Sequence, residues 1–136
     1  MKIPILKLKD ILITSIQIDL TDEEAIEFQT DVLAKVSEID ANGVVIDITA
    51  LDVVDSFMAR VLNNTATMVR LLGAEVVLCG MQPSVAITLV EMGRELIGVE
   101  TALNLDQAVD NINELIKSRA TTALKERRLE PWMGCR

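Results

Sequence analysis

Residues 43–62 read "GVVIDITALDVVDSFMARVL", and the fold turns on where this stretch changes period. Its first six residues are rich in Val and Ile, the composition of a buried strand. From Phe57 onward Met58, Val61, Leu62, Thr65, Met68, Val69 and Leu72 recur at three- and four-residue steps, and Gly73 follows as a C′ residue. A short connection joins the two patterns. It carries Asp52 and Asp55, and Ser56 stands directly before the helical repeat.

The same alternation runs outward in both directions. "DILITSIQI" (10–18), "EVVLCG" (75–80) and, more weakly, "GVETAL" (98–103) read as strands. "IPILKL" (3–8) adds an edge strand beside residues 10–18, joined by a tight turn near Lys9 and Asp10. "TDEEAIEFQTDVLAKVSEI" opens with Thr21 and has Glu24 three residues on, a capping box. Its Ala25, Phe28, Val32 and Val36, flanked by Ile26 and Leu33, share one helical face. "PSVAITLVEMGRELIG" (83–98) places Pro83 at the first helical position. "LDQAVDNINELIKS" (105–118) carries a stripe of Leu105, Ala108, Val109, Ile112, Leu115 and Ile116. Strands alternating with helices predict an α/β layer with right-handed crossovers.

Residues 1–118 therefore make one domain, the size expected of a single core. The apolar periodicity stops after Ser118. Residues 119–136, including "TTALKERRLEPWMGCR", read as a basic, flexible tail, native or vector-derived, outside the functional reading.

Charge divides the chain at nearly the same place. Residues 1–116 hold 7 Lys+Arg against 19 Asp+Glu, whereas residues 117–136 hold 6 against 2. The acidic body repels a phosphate backbone, so nucleic acid is not an expected partner. No apolar run approaches the ~18 residues of a membrane span, and the N-terminus lacks the pattern of a signal peptide. A cytoplasmic protein with no membrane partner is expected.

The chain has no histidine, the commonest general base and zinc ligand. Its two cysteines form no disulfide framework. Cys79 ends an apolar run and reads as a buried, inert thiol, while Cys135 lies in the tail. There is no G-x-S-x-G elbow, Walker loop, dinucleotide fingerprint or H-E-x-x-H. Lysine activation of Ser56 has no support either, because Lys2, Lys7, Lys9 and Lys35 are the only lysines before residue 117. No catalytic activity, cofactor or metal is expected. A receiver-type domain phosphorylated on Asp47 is an alternative with the same α/β alternation. It wants an acidic pair after the first strand and a lysine after the last, and neither is present.

Ser56 has two compatible readings. Ser is among the best N-caps, and Asp47 and Asp52 suit turns and solvated loops. A helix start also offers free N–H donors and partial positive charge, so a phosphate on Ser56 is tolerated there. It adds about −1.5 to −2 charge beside Asp52 and Asp55, enough to turn a binding surface into a repelling one.

"GVVIDITALDVVDSF", "LLGAEVVLCGMQP" and "ETALNLDQAV" resemble a STAS domain, the fold of sulphate transporters and anti-sigma factor antagonists. "IPILKLKDILITSIQ", "FQTDVLAKV" and "GMQPSVAITLVEMG" extend the resemblance over residues 3–116 to the stressosome scaffold branch. The resemblance implies a STAS fold, a mixed central sheet with about four helices packed against it. It implies a non-catalytic scaffold that sequesters a serine/threonine switch kinase and releases it once phosphorylated on Ser56. The implied partners are that kinase, STAS paralogues with N-terminal sensor domains, and further copies of the chain, as a dimer and in a large assembly. A sensor domain is not expected in this chain. A kinase-facing surface at residues 49–56 and the start of the next helix assigns contacts to Asp52, Asp55, Phe57 and Arg60. Thr88 sits where sensor-bearing paralogues carry a second modifiable threonine. Its plainer role is a helix hydroxyl bonded to the preceding turn. A free anti-sigma factor antagonist, binding its kinase as a monomer, is the alternative within the fold.

Overall fold

A computed structural model describes residues 3–91 and 99–134, with 122–134 as backbone only. The chain forms β1 (Ile5–Leu8), β2 (Ile11–Ser15), α1 (Asp22–Ile39), β3 (Gly43–Asp47), α2 (Ser56–Leu71), β4 (Glu75–Cys79), α3 (Pro83–Glu91), β5 (Glu100–Ala102) and α4 (Leu105–Gly134). The sheet runs in the order β1-β2-β3-β4-β5. β1 pairs antiparallel with β2 through a turn in which Lys9 takes a φ of 57°, and the remaining pairs are parallel. The α/β class and mixed sheet expected from the sequence are those observed.

Sequential parallel strands joined by crossovers of one hand must carry their connecting helices on one face. Leu12, Val44, Ile46, Val76 and Leu78 face Phe28, Val32 and Val36 of α1, Val61, Leu62 and Val69 of α2, and Val85 and Leu89 of α3 in one buried core. Burying one such side chain stabilises by roughly 1.5–3 kcal/mol. The one hydroxyl deep between α1 and α2 is satisfied: Thr65 Oγ1 donates to Val61 O at 2.7 Å and accepts from Gln29 Nε2 at 3.1 Å. The opposite face is covered by α4, where Ala108 and Ile112 meet Ile11, Val45, Val77 and Cys79. At Gly43 the sheet and α4 approach so closely that a Cβ would lie 2.6 Å from Ile112 Cδ1.

Thr21 and Glu24 form the predicted capping box, with Glu24 N to Thr21 Oγ1 at 3.1 Å and Thr21 N to Glu24 Oε1 at 3.0 Å. Some boundaries differ from the sequence reading. β2 and β5 are shorter than their apolar runs. α3 is helical through Glu91, and the rest of its expected span, residues 92–98, lies outside the described ones. The helix expected to stop at Ser118 continues to Gly134, so the basic stretch carries helical backbone. Ala, Leu, Lys, Glu and Arg are strong helix formers, and a helix already nucleated on the sheet extends through them without any apolar stripe. Arg119, paired to Glu75 at 3.6 Å, marks where contact with the body is still made.

Candidate functional site

The segment 48–55 leaves the C-terminal edge of the parallel sheet, where open α/β folds place their functional loops. Two apolar pegs seat it: Leu51 and Val54 are buried, whereas Val53 between them is 70% exposed. Asp47 Oδ1 accepts from Thr49 N at 2.9 Å and from Thr49 Oγ1, closing an Asx-type turn. Leu51 N donates to Ile48 O at 3.0 Å. The carboxylate of Asp47 is thus engaged in shaping the loop. This is its turn role, not the acceptor geometry of a receiver domain.

Asp55 ends the loop in extended conformation, φ −84° and ψ 176°, and its Oδ1 accepts the amide of Met58 at 2.8 Å. Asp55 is therefore the N-cap of α2, and the sequence expectation that Ser56 caps this helix is corrected. Asp and Ser rank equally as caps, and a carboxylate gains further from the helix dipole, so Asp55 takes the position when both are adjacent. Ser56 becomes the first helical residue. Its side chain is exposed, and its hydroxyl has no hydrogen-bond partner among the described residues.

The other predicted site residues divide. Asp52, Asp55 and Arg60 are exposed around Ser56, Arg60 standing one helical turn on. Phe57 is half-buried and packs against the core, so much of its ring serves the fold. Thr88 is half-buried on α3 and donates to Ser84 O at 2.8 Å, a back-bond within its own helix. A cleft of about 140 Å³ lined by Asp19, Leu20, Leu51, Val53, Asp55 and Met58 adjoins the site. It is well below the roughly 300 Å³ of small-molecule pockets, which points to an exposed surface as the working feature.

Sequence reasoning missed two residues of this region. Gln82 Nε2 donates to Thr49 O at 2.8 Å, and Ser84 Oγ donates to Asp52 O at 3.1 Å. Both come from the start of α3, more than thirty residues away, and such side-chain-to-backbone bonds leave no local pattern. Gly80 permits the approach. Its φ is +75°, and a Cβ there would overlap Thr49 Oγ1 and lie 3.1 Å from Asp47 Oδ1. Behind the site Cys79 is fully buried, and burial, followed by the charge of Asp47, pushes its thiol up to about 11. It is an inert thiol, as its sequence setting implied.

Among known proteins, the sequence profile of the STAS domain matches residues 2–108. RsbT co-antagonist protein RsbRA of Bacillus subtilis (strain 168) is 36% identical over 72 residues, 53% of this chain. The uncharacterised protein YezB of the same organism is 34% identical over 68 residues, 50% of this chain and 69% of its own. The matched part is only 26% of the length of RsbRA. Among solved structures, a serine-to-glutamate variant of Moorella thermoacetica RsbS superposes with a TM-score of 0.77 at 41% identity, covering 86% of this chain and 99% of that one. A chain from the molecular architecture of the stressosome, a signal integration and transduction hub, gives 0.74 at 45% identity, covering 82% and 97%.

Proposed function

The chain belongs to the STAS-domain family, and from that premise we propose that it is a non-catalytic stressosome scaffold that holds a serine/threonine switch kinase until phosphorylated on Ser56. The likeness to RsbS and to the stressosome chain supports the scaffold role in a partner-switching stress response. The likeness to RsbRA supports STAS paralogues as co-assembling partners. Among the described residues, no helix is long and apolar enough to cross a membrane.

One observation carries the site assignment. Ser56 presents an exposed hydroxyl, unbonded among the described residues, at the start of a helix capped by its neighbour. A kinase can take it without breaking a bond of the fold. The phosphate then faces free amides of the first turn, which favour an anion, but also stands beside Asp55 and near Asp52 in the chain. The gain in negative charge is small in cost to the helix and large for a partner that had accepted the acidic surface. Asp52, Arg60 and the exposed edge of Phe57 make up the rest of the kinase-facing surface.

The test is phosphorylation by the serine/threonine switch kinase of the same genome, with the modified residue mapped by mass spectrometry. Wild type is expected to take one phosphate on Ser56, and Ser56→Ala to take none. Stoichiometric modification of Ser56→Ala would remove Ser56 from the mechanism. Sizing with an RsbR-type paralogue separates the scaffold, which enters a megadalton particle, from a free antagonist forming a small one-to-one complex.

A further inference from the structure

The loop that leads into Ser56 has no regular secondary structure, yet a phosphoacceptor must meet the kinase in a defined position. We propose that Gln82 and Ser84 are positioning residues for the modification of Ser56, a role that rests on the assignment of Ser56 as the phosphoacceptor.

The pegs Leu51 and Val54 fix where the loop touches the core. They do not fix the rotation of the peptide planes on either side of Leu51. Gln82 and Ser84 do so from outside, one on each side of Leu51, by donating to Thr49 O at 2.8 Å and Asp52 O at 3.1 Å. Val53, Val54 and Asp55 follow, so the direction in which the chain enters α2 depends on these two carbonyls.

The donors themselves stand on a rigid base. The carbonyl of Gln82 accepts the amides of Val85 at 3.0 Å and Ala86 at 3.1 Å, which places it at the start of α3. Pro83 between the two donors fixes its own φ. The carbonyl of Ser84 is in turn held by Thr88 Oγ1. Val85, next in line, is buried in the main core. Both straps therefore transmit the position of the sheet-anchored α3 to the loop. Their loss leaves the core untouched and frees the peptide planes before Ser56.

Gln82→Glu keeps the shape of the side chain and removes its donor. Ser84→Ala removes the second donor, and Ser84→Thr retains a hydroxyl at the same carbon. With the switch kinase and ATP, Gln82→Glu and Ser84→Ala are expected to lose about tenfold in kcat/KM for Ser56, chiefly in kcat, since misplacement of a reacting group by about 1 Å costs up to a hundredfold. Ser84→Thr is expected to recover most of the loss. Hydrogen exchange of the amides of residues 49–55 is expected to quicken in the two loss variants while that of β3 and α2 stays as in wild type. Wild-type kinetics in both loss variants, or equal loss in Ser84→Ala and Ser84→Thr, overturns the positioning role and leaves the assignment of Ser56 intact. An unmodified Ser56 in the wild type overturns that assignment itself.

Discussion

Asp55 Oδ1 accepts the amide of Met58 at 2.8 Å, and this bond places the cap of α2 one residue ahead of Ser56. The cap is thereby carried by Asp55, and the phosphoacceptor role proposed for Ser56 falls on the adjacent side chain. Asp55→Ala is expected to cost about 1 kcal/mol, the usual value of an N-cap. Asp55→Asn should retain most of that, and Ser56→Ala should change stability by only a few tenths. Urea denaturation of the three variants measures it; a larger loss for Ser56→Ala than for Asp55→Ala would return the cap to the serine.

The exposed position of Ser56 lets charge be varied without disturbing the core. Ser56→Asp is expected to fold as wild type but capture the kinase more weakly, whereas Ser56→Ala captures it and fails to release it on addition of ATP. Co-sedimentation with the kinase at low and moderate salt reads both. The deficit of Ser56→Asp should shrink as salt rises, because exposed charges are screened over about 10 Å at 0.1 M ionic strength.

Gly43 sits under α4 with no room for a side chain: a Cβ would lie 2.6 Å from Ile112 Cδ1 and 2.8 Å from Ile112 Cγ1. Gly43→Ala should therefore destabilise by about 1–3 kcal/mol through overpacking. Ile112→Val alone should cost roughly 0.5–1.5 kcal/mol. The double variant should be more stable than the sum of the two, since the shorter side chain lacks Cδ1. A thermodynamic cycle from denaturant unfolding gives the coupling, and strict additivity would place the strain elsewhere.

The raised Cys79 thiol sets a pH dependence. Unfolded, the thiol titrates near 8.5. The folded chain keeps a proton that the unfolded chain has released above that pH. Stability from this group is therefore complete below about pH 8.5 and is lost as pH climbs toward 11. In a Cys135→Ser background, thiol reagents should leave the native protein unlabelled at pH 8 and react on unfolding. Cys79→Ala should remove the alkaline slope; an unchanged slope would attribute it to other groups.

Much of this molecule is legible in its sequence because its elements carry their own periodicity. The stripe Ala25, Phe28, Val32 and Val36 is buried as a set, and the capping box at Thr21 closes as written. The runs at 43–48 and 75–80 become the central strands because both of their faces are apolar. The cap of α2 was not legible, since Asp55 and Ser56 are equivalent candidates until the backbone angle of one is known. The extension of α4 was missed for the opposite reason: a helix that leaves its sheet needs propensity, not a stripe. Gln82 and Ser84 reach the loop only after the sheet has brought β3 and β4 side by side, so nothing near them in the chain announces the contact.

The placement of three crossover helices on one face leaves the other face to α4, the last of the described elements. Ile11, Val45 and Val77 acquire their cover only when Ala108 and Ile112 arrive. At roughly 5–20 residues per second, a strand that includes Ile11 waits about 5–20 seconds on the ribosome before Ile112 is synthesised. Through that interval one side of the nascent sheet is bare and apolar. The closing helix is thus a timer on synthesis as well as a layer of the fold, and a chain interrupted before residue 105 lacks the cover of Ile11, Val45 and Val77.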